Sequence, residues 1–271
     1  MKEFDLTISV VLYRNNPAEI EQLINCIAET TLNYRLYLID NSPDNQLQFF
    51  SKEKNTEYLF NKKNIGFGHA QNIAIERASD KSKYHLILNP DITFEKGTLE
   101  NIFAFMEANV DIGQLMPKVF YPDGETQKLC KLLPHPLDLI GRRFLGNSKM
   151  MQKRNDLYEL SNFSYNKILY TPNLSGCFMF IRMSVLKKTG GFDTRFFMYL
   201  EDFDLTRRIN KIAQTVFYPG ASVVHGFSKG SYSNPTLFRY HIISAIKYFN
   251  KWGWFFDKDR TRLNKKVLTQ L

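Results

Sequence analysis

The strongest constraint in this sequence is an alternation. Short apolar runs, LTISVVLY (6–13), RLYLID (35–40), Tyr58–Phe60 and YHLILNPDI (84–92), are separated by helix-like segments and turn-rich loops. Runs of this length bounded by turn residues read as strands, and the first is buried on both faces. The segment opening at Pro17, a good first-turn residue, sets Ile20, Leu23, Ile24 and Ile27 on one face and predicts a helix to about Thr30. NKKNIGFGHAQNIAIERA (61–78) predicts a second helix emerging from a glycine-containing loop. Strand, loop and helix in repetition predict an α/β fold with a mostly parallel central sheet flanked by helices. Polar loop residues then collect at one sheet edge, where open α/β sheets bind ligands.

Near Asp111 the alternation stops. Residues 118–170 carry Tyr, Pro, Lys, Asn and Asp without sustained periodicity, which predicts loops and short helices inserted at the sheet edge. Order returns with SGCFMFIRMSVL (175–186), a strand leading into a short helix, and with the strand QTVFYP (214–219). From Asn234 to Trp254, residues Leu237, Tyr240, Ile243, Ala245, Ile246, Phe249 and Trp254 recur at helical spacing among basic residues. The expected organisation is one domain over 1–230, divided into a nucleotide-binding half (1–117) and an acceptor and catalytic half (118–230). A basic, aromatic C-terminal helical extension follows over 231–271.

Composition narrows the function classes. With 44% hydrophobic and 23% charged residues in 271, the chain is neither disordered, collagen-like nor a coiled coil. No stretch reaches the roughly 18 apolar residues that span a bilayer. Glu3 and Asp5 stand where a signal peptide would be basic, so a cytoplasmic chain is expected. Cys26, Cys130 and Cys177 lack CxxC spacing, and suggest neither a disulfide framework nor a cysteine zinc site. The net charge of +9 is concentrated. From Gly226 onward nine basic residues face two acidic ones, and from Lys128 to Arg154 seven face one, with Arg142, Arg143 and Lys229 among them. Such clusters attract phosphates of nucleic acid, anionic lipid or a phosphorylated substrate.

Several residues are candidates for chemistry. Asp40 ends a strand beside Asn41 and Ser42; it either caps the turn or accepts the N3 hydrogen of a uracil or thymine ring. Gly66 and Gly68 in NIGFGHAQN let the backbone approach a nucleotide at a helix N-terminus, outside the GxGxxG pattern. Pro90 forces an extended strand end, leaving Asp91 as a turn residue or as a ligand of a hard divalent cation. Glu201 and Asp202 open a short helix, either as helix-start acids or as a pair containing a general base. His225 follows the apolar run ASVV, as a metal ligand or a structural histidine.

Taken in order, VVLY (10–13), LIDNSPD (38–44), NIGFGHAQN (64–72), LNPD (88–91), SGCFMFIR (175–182), FDTRFFMYLEDFDLTRR (192–208) and VVHG (223–226) resemble the family 2 glycosyltransferases of bacterial surface-polysaccharide assembly. Within that family the series is most similar to the rhamnosyltransferase-like branch. The resemblance covers about residues 5–230. It implies the nucleotide-sugar-binding fold called GT-A and an inverting transfer that depends on Mg2+ or Mn2+. It implies that Tyr13 and Asp40 hold a pyrimidine base, and that Asn64, Gly66, Gly68 and Asn72 shape the nucleotide loop. Asn89 and Asp91 would stand at the DxD-like motif, with Asp91 on the metal and His225 assisting. Ser175 and Gly176 would line the donor sugar, Asp202 would deprotonate the acceptor hydroxyl beside Glu201, and Arg208 would be a supporting charge. Arg14 replaces the asparagine common after the tyrosine, and Asn89 replaces the first DxD carboxylate.

The expected donor is dTDP-rhamnose, with UDP-hexoses and UDP-galactofuranose as alternatives. The expected acceptor is a growing glycan on a polyprenyl pyrophosphate, and the tail with Trp252, Trp254, Phe255 and Phe256 would give peripheral contact at the inner face of the cytoplasmic membrane. Other classes fit less well. A dinucleotide-dependent oxidoreductase lacks its glycine fingerprint at YRNNP, and a sugar nucleotidyltransferase lacks a basic glycine-rich loop after the first strand. No nucleic-acid-binding motif is present, so nucleic acid is not an expected partner. A catalytically silent nucleotide-sugar-binding protein of the same fold stays open because of Asn89.

Overall fold

The computed structural model describes residues 2–141, 148–226 and 235–271. Arg142, Arg143 and Lys229, and the expected boundary at 230/231, lie outside the described residues.

The chain alternates as expected in its first half. β1 (Phe4–Leu12), β2 (Tyr34–Asp40), β3 (Thr56–Phe60) and β4 (Ser82–Leu88) are linked by α1 (Pro17–Ala28), a 3-10 turn at Gln48–Lys52 and α2 (Phe67–Ala78). Asn16 caps α1 through its side-chain oxygen, which accepts from the Ala18 N–H at 3.0 Å. Ile20, Leu23, Ile24 and Ile27 form the buried face of α1, as their spacing predicts. β5 (Ile92–Thr93), α3 (Thr98–Ala108) and β6 (Ile112–Phe120) follow, then a π-helical turn (Leu137–Gly141), α4 (Lys149–Tyr158) and β7 (Leu169–Tyr170). β8 (Phe178–Arg182), α5 (Met183–Thr189), α6 (Glu201–Asn210), β9 (Gln214–His225), α7 (Pro235–Trp252) and α8 (Lys258–Leu268) complete the order.

The strands form one sheet in the order β3-β2-β1-β4-β8-β6-β9-β5, with β7 on β9. The β3-β2-β1-β4 half is parallel throughout. β8 runs antiparallel to both β4 and β6, and β5 and β7 are antiparallel to β9, so the second half is mixed. Period-two alternation along the strands splits the core between two faces. Leu6, Ile8, Val10 and Leu12 pack with α1 and α3 on one; Ile39, Ile87, Met179 and Ile181 pack with α2, α5 and α6 on the other.

α7 and α8 share cores with earlier elements. Ala245, Tyr248 and Phe249 of α7 pack on Phe196 and Leu200, just before α6. Val267 of α8 joins Cys130, Leu132 and Leu174, and Asn264 bonds both the N–H and the C=O of Leu133. No helix among the described residues is long and apolar enough to cross a membrane.

Candidate functional site

The site gathers at the C-terminal end of β4. Asn89 follows that strand, its N–H held by the Cys177 carbonyl at 2.9 Å. Pro90 turns the chain into β5, which pairs antiparallel with the end of β9 and sets Ile92 opposite His225. This pairing brings three separated side chains together. His225 Nε2 lies 3.3 Å from Asp91 Oδ1 and 3.3 Å from Asn89 Nδ2.

The histidine's tautomer follows from a residue the sequence did not single out. Gln127 Nε2 donates to the carbonyls of His225 at 2.8 Å and Phe120 at 3.3 Å, and a carbonyl can only accept. Gln127 Oε1 must therefore be the atom facing His225 Nδ1 at 3.0 Å, and it accepts the Nδ1 hydrogen. In the neutral ring the lone pair then falls on Nε2, on the side of Asn89 and Asp91. Locking the tautomer through the other ring nitrogen is how metal-ligating histidines are oriented. No cluster of three or more His, Cys, Asp or Glu is present among the described residues. One carboxylate and one imidazole nonetheless fit Mg2+ or Mn2+, since Mg2+ in particular is usually held by one or two carboxylates together with substrate phosphates and water.

A cavity of about 440 Å3 lies beside this cluster, lined by Asn89, Ser175, Gly176, Glu201, Asp202 and His225. Asp202 is fixed at the start of α6: Oδ2 accepts the Gly176 N–H at 2.8 Å and Oδ1 accepts its neighbour's at Phe203, 2.9 Å. Gly176 eases that approach, because a Cβ there would stand a tight 3.0 Å from the Asp202 Cβ. Glu201 is buried, and its Oε2 has no hydrogen-bond partner. Burial and the neighbouring Asp202 charge push the Glu201 carboxyl well above the ordinary range. Burial also raises Asp202, against the two backbone N–H groups that favour its charged form. Tyr199 and Leu200, the residues before this pair, both adopt left-handed backbone (φ 70° and 65°). Two consecutive such non-glycine residues cost about 1–2 kcal/mol each, a strain that concentrates at functional sites.

Other cavity-lining residues include Lys131, Asp138 and Tyr158 from the segment between β6 and β7, and His241 from α7. Lys131 and Asp138 belong to the basic 128–154 cluster, but only the fold brings them, Tyr158 and His241 to the cavity. Cys177 also lines it, and burial pushes its thiol up to about 12, leaving it protonated and unsuited to nucleophilic work.

The expected nucleotide-binding residues form a neighbouring edge. Tyr13 is half exposed, with the Arg14 guanidinium 5.6 Å from its ring centre. Asp40 is fully buried, accepting from the Ser42 N–H at 2.8 Å and the Tyr58 hydroxyl at 2.5 Å. The turn-capping bond is thus present, and each carboxylate oxygen already has a donor. Asn64 Oδ1 accepts the Gly66 N–H at 3.0 Å, while Asn41 bridges Asn64 and the Gly66 carbonyl. The Phe67 N–H donates to the Phe197 carbonyl, joining this edge to the loop before α6.

Three expected site residues are engaged in packing. Gly68 lies against the Phe192 ring. Asn72 clamps the Phe192 backbone, donating to its carbonyl at 2.9 Å and accepting its N–H at 2.8 Å. Arg208 spreads its guanidinium over Asp204 and the carbonyls of Thr189 and Gly191, all within 2.8 Å. These bonds hold the 189–192 turn against α2 and α6 and direct neither side chain at the cavity.

A family model described as glycosyl transferase family 2 matches residues 8–190. An N-acetylglucosaminyl-diphospho-decaprenol L-rhamnosyltransferase of Mycobacterium tuberculosis (strain ATCC 25618 / H37Rv) is 28% identical over 177 residues, covering 60% of this chain and 56% of the relative. The match thus spans a little over half of that relative's length. The rhamnosyltransferase WbbL of Escherichia coli (strain K12) is 26% identical over 194 residues, covering 68% of this chain and 69% of the relative. A crystal structure of GalNAc-T7 with UDP, GalNAc and Mn2+ superposes with a TM-score of 0.59 at 14% identity, over 93% of this chain and 50% of that one. The likeness at that identity is one of fold, the GT-A arrangement that the motifs imply.

Proposed function

The chain belongs to glycosyl transferase family 2, and from that premise we propose that it transfers a sugar with inversion from a nucleotide-sugar to a hydroxyl of a growing, lipid-linked bacterial surface glycan. L-Rhamnose from dTDP-rhamnose is the leading donor, since both curated relatives carry the rhamnosyltransferase name. Peripheral contact with the cytoplasmic face of a membrane belongs to the same reading, because a lipid-linked acceptor sits there.

The observation that carries the reading is one cavity lined by Asp202, fixed by the Gly176 N–H, and by the Asn89 and His225 pair. Asp202 accepts the proton of the acceptor hydroxyl. The freed oxygen pair bonds the anomeric carbon while the carbon–oxygen bond to phosphate breaks and the nucleoside diphosphate departs with that electron pair. One in-line displacement inverts the centre and needs no covalent enzyme intermediate. Asp91 and His225 would hold the divalent ion, which supplies Lewis-acid stabilisation of the departing diphosphate. Asn89 in place of a carboxylate leaves fewer negative charges there, so affinity for the ion depends more on the donor's phosphates. Glu201, pushed toward its neutral form, keeps a second negative charge away from Asp202 and from the entering phosphates. Tyr13, Asn64 and Gly66 form the edge for the base, with the sealed Asp40 holding its shape from behind, and Ser175 and Gly176 form the wall for the sugar.

The test is thermal stabilisation by dTDP-rhamnose, UDP-glucose, UDP-galactofuranose, GDP-mannose and NADH, each with and without Mn2+, followed by a transfer assay with the best ligand. A shift by one pyrimidine nucleotide-sugar that requires metal is expected. Stabilisation by NADH alone, or donor binding without transfer or hydrolysis, would overturn the catalytic assignment.

A further inference from the structure

α7 and α8 are joined by a turn, Gly253–Asp257, that places Phe255 and Phe256 at 67% and 97% exposure. Adjacent phenylalanines so exposed keep a large apolar surface in water unless something covers it. The turn is held in shape. Arg260, itself buried, donates to the carbonyls of Trp254 at 3.2 Å, Phe255 at 3.0 Å and Pro134 at 3.2 Å. Gly253 has φ of +100°, and a Cβ on it would meet the Phe256 carbonyl oxygen at 2.7 Å, so the bend needs glycine. The two rings are therefore presented by a fixed backbone.

Charge follows this apolar tip along α8. Lys258, Arg262, Lys265 and Lys266 of α8 are all exposed, and their spacing places them along one stripe of the helix. Asp259 lies half-buried beside them, paired with Arg262 at 3.4 Å and Lys211 at 3.7 Å. The tip also lies next to the cavity. The Phe255 and His135 rings meet edge to face at 5.9 Å, and the His135 N–H donates at 2.7 Å to Asp138, which lines the cavity.

We propose that the Phe255–Phe256 tip and the basic stripe of α8 dock on an anionic lipid surface, with the rings in the headgroup layer and the lysines on the phosphates. An amphipathic basic element with aromatic residues takes up such an interfacial position, and anionic lipid complements its charge. The proposal rests on the reading above in one respect: a docked tip beside Asp138 holds the cavity at the surface where a lipid-linked acceptor is embedded.

The experiment is co-sedimentation of the full chain with phosphatidylcholine vesicles, alone or containing about one third phosphatidylglycerol, at low and high salt. The expected result is salt-sensitive binding to the anionic vesicles, about tenfold or more weaker in Phe255→Ser/Phe256→Ser. Lys265→Gln/Lys266→Gln is expected to weaken binding by about fivefold per lysine at low salt and less at high salt. Equal binding of wild type and the phenylalanine variant, or no preference for anionic vesicles, would overturn the proposal. So would a wild-type dimer that becomes monomeric in that variant without vesicle binding, which assigns the tip to a second copy of the chain. Both variants are also melted with and without nucleotide-sugar. Tip-dependent vesicle binding with no donor-induced shift overturns the transferase reading alone, and a donor-induced shift without vesicle binding overturns the docking alone.

Discussion

Asp40 and Asp202 both stand where an element meets a loop, yet their surroundings are opposites. Asp40 is sealed, with the Ser42 N–H and the Tyr58 hydroxyl bound to its oxygens. Asp202 borders a cavity beside Glu201, whose Oε2 has no partner, behind two residues in left-handed backbone. The edge around Asp40 is a satisfied hydrogen-bond lattice that holds a shape. The start of α6 is raised in energy by desolvation and strain, as expected of groups that must change protonation during a reaction.

The largest effect that would break this contrast is at Asp202. Asp202→Asn keeps the bulk and loses the base, so transfer should fall by about 10³-fold while donor-induced thermal stabilisation persists. Comparable turnover in the variant would move the chemistry elsewhere. Next come the cation residues: Asp91→Ala and Gln127→Leu should weaken metal-dependent donor binding by about 10–100-fold, the second by releasing the His225 tautomer. Titration of donor at fixed Mn2+ reads both, and a Gln127→Leu protein with unchanged affinity would refute the orienting role.

Smaller effects sharpen the sealed side. Tyr58→Phe removes the hydroxyl on Asp40 and should cost about 1–3 kcal/mol of stability, read by denaturant unfolding. Glu201→Gln should act in the other direction. The folded-state pKa of Glu201 is raised, so its contribution to stability is full below the unfolded carboxylate pKa and is lost as pH rises through the folded value. The glutamine variant should therefore melt roughly 2–4 °C higher than wild type near neutral pH, with the gap closing toward pH ~4. The raised Asp202 pKa likewise places the acid limb of the transfer profile above the ordinary carboxylate range.

The sequence made most of this legible where a residue's role is local. The face of α1, its opening at Pro17, the strand end at Asn89–Asp91 and the acidic opening of α6 all follow from spacing and residue type. β6 was hidden because Pro117 argues against a strand; the sheet tolerates it at a register shift with β9. Gln127, Lys131, Tyr158 and His241 reach the site through tertiary pairing alone. Asn72 and Arg208 resemble ligand-binding polar residues in sequence, but Asn72 binds Phe192, 120 positions away, and Arg208 binds the carbonyls of Thr189 and Gly191 together with Asp204.

One turn along α6 from its two acidic residues, Asp204 is fully buried and accepts from Lys251 at 2.6 Å, Trp252 at 2.9 Å and Arg208 at 2.8 Å. Beside it Arg207, 1% exposed, pairs with Asp257 at 2.7 Å and lies 4.1 Å from the centre of the Trp252 ring. For anyone building chimeras, the segment after residue 235 is consequently not interchangeable on its own. A graft that exchanges it must carry positions 204, 207, 251, 252 and 257 as one cassette, or leave two buried charges facing an unmatched neighbour.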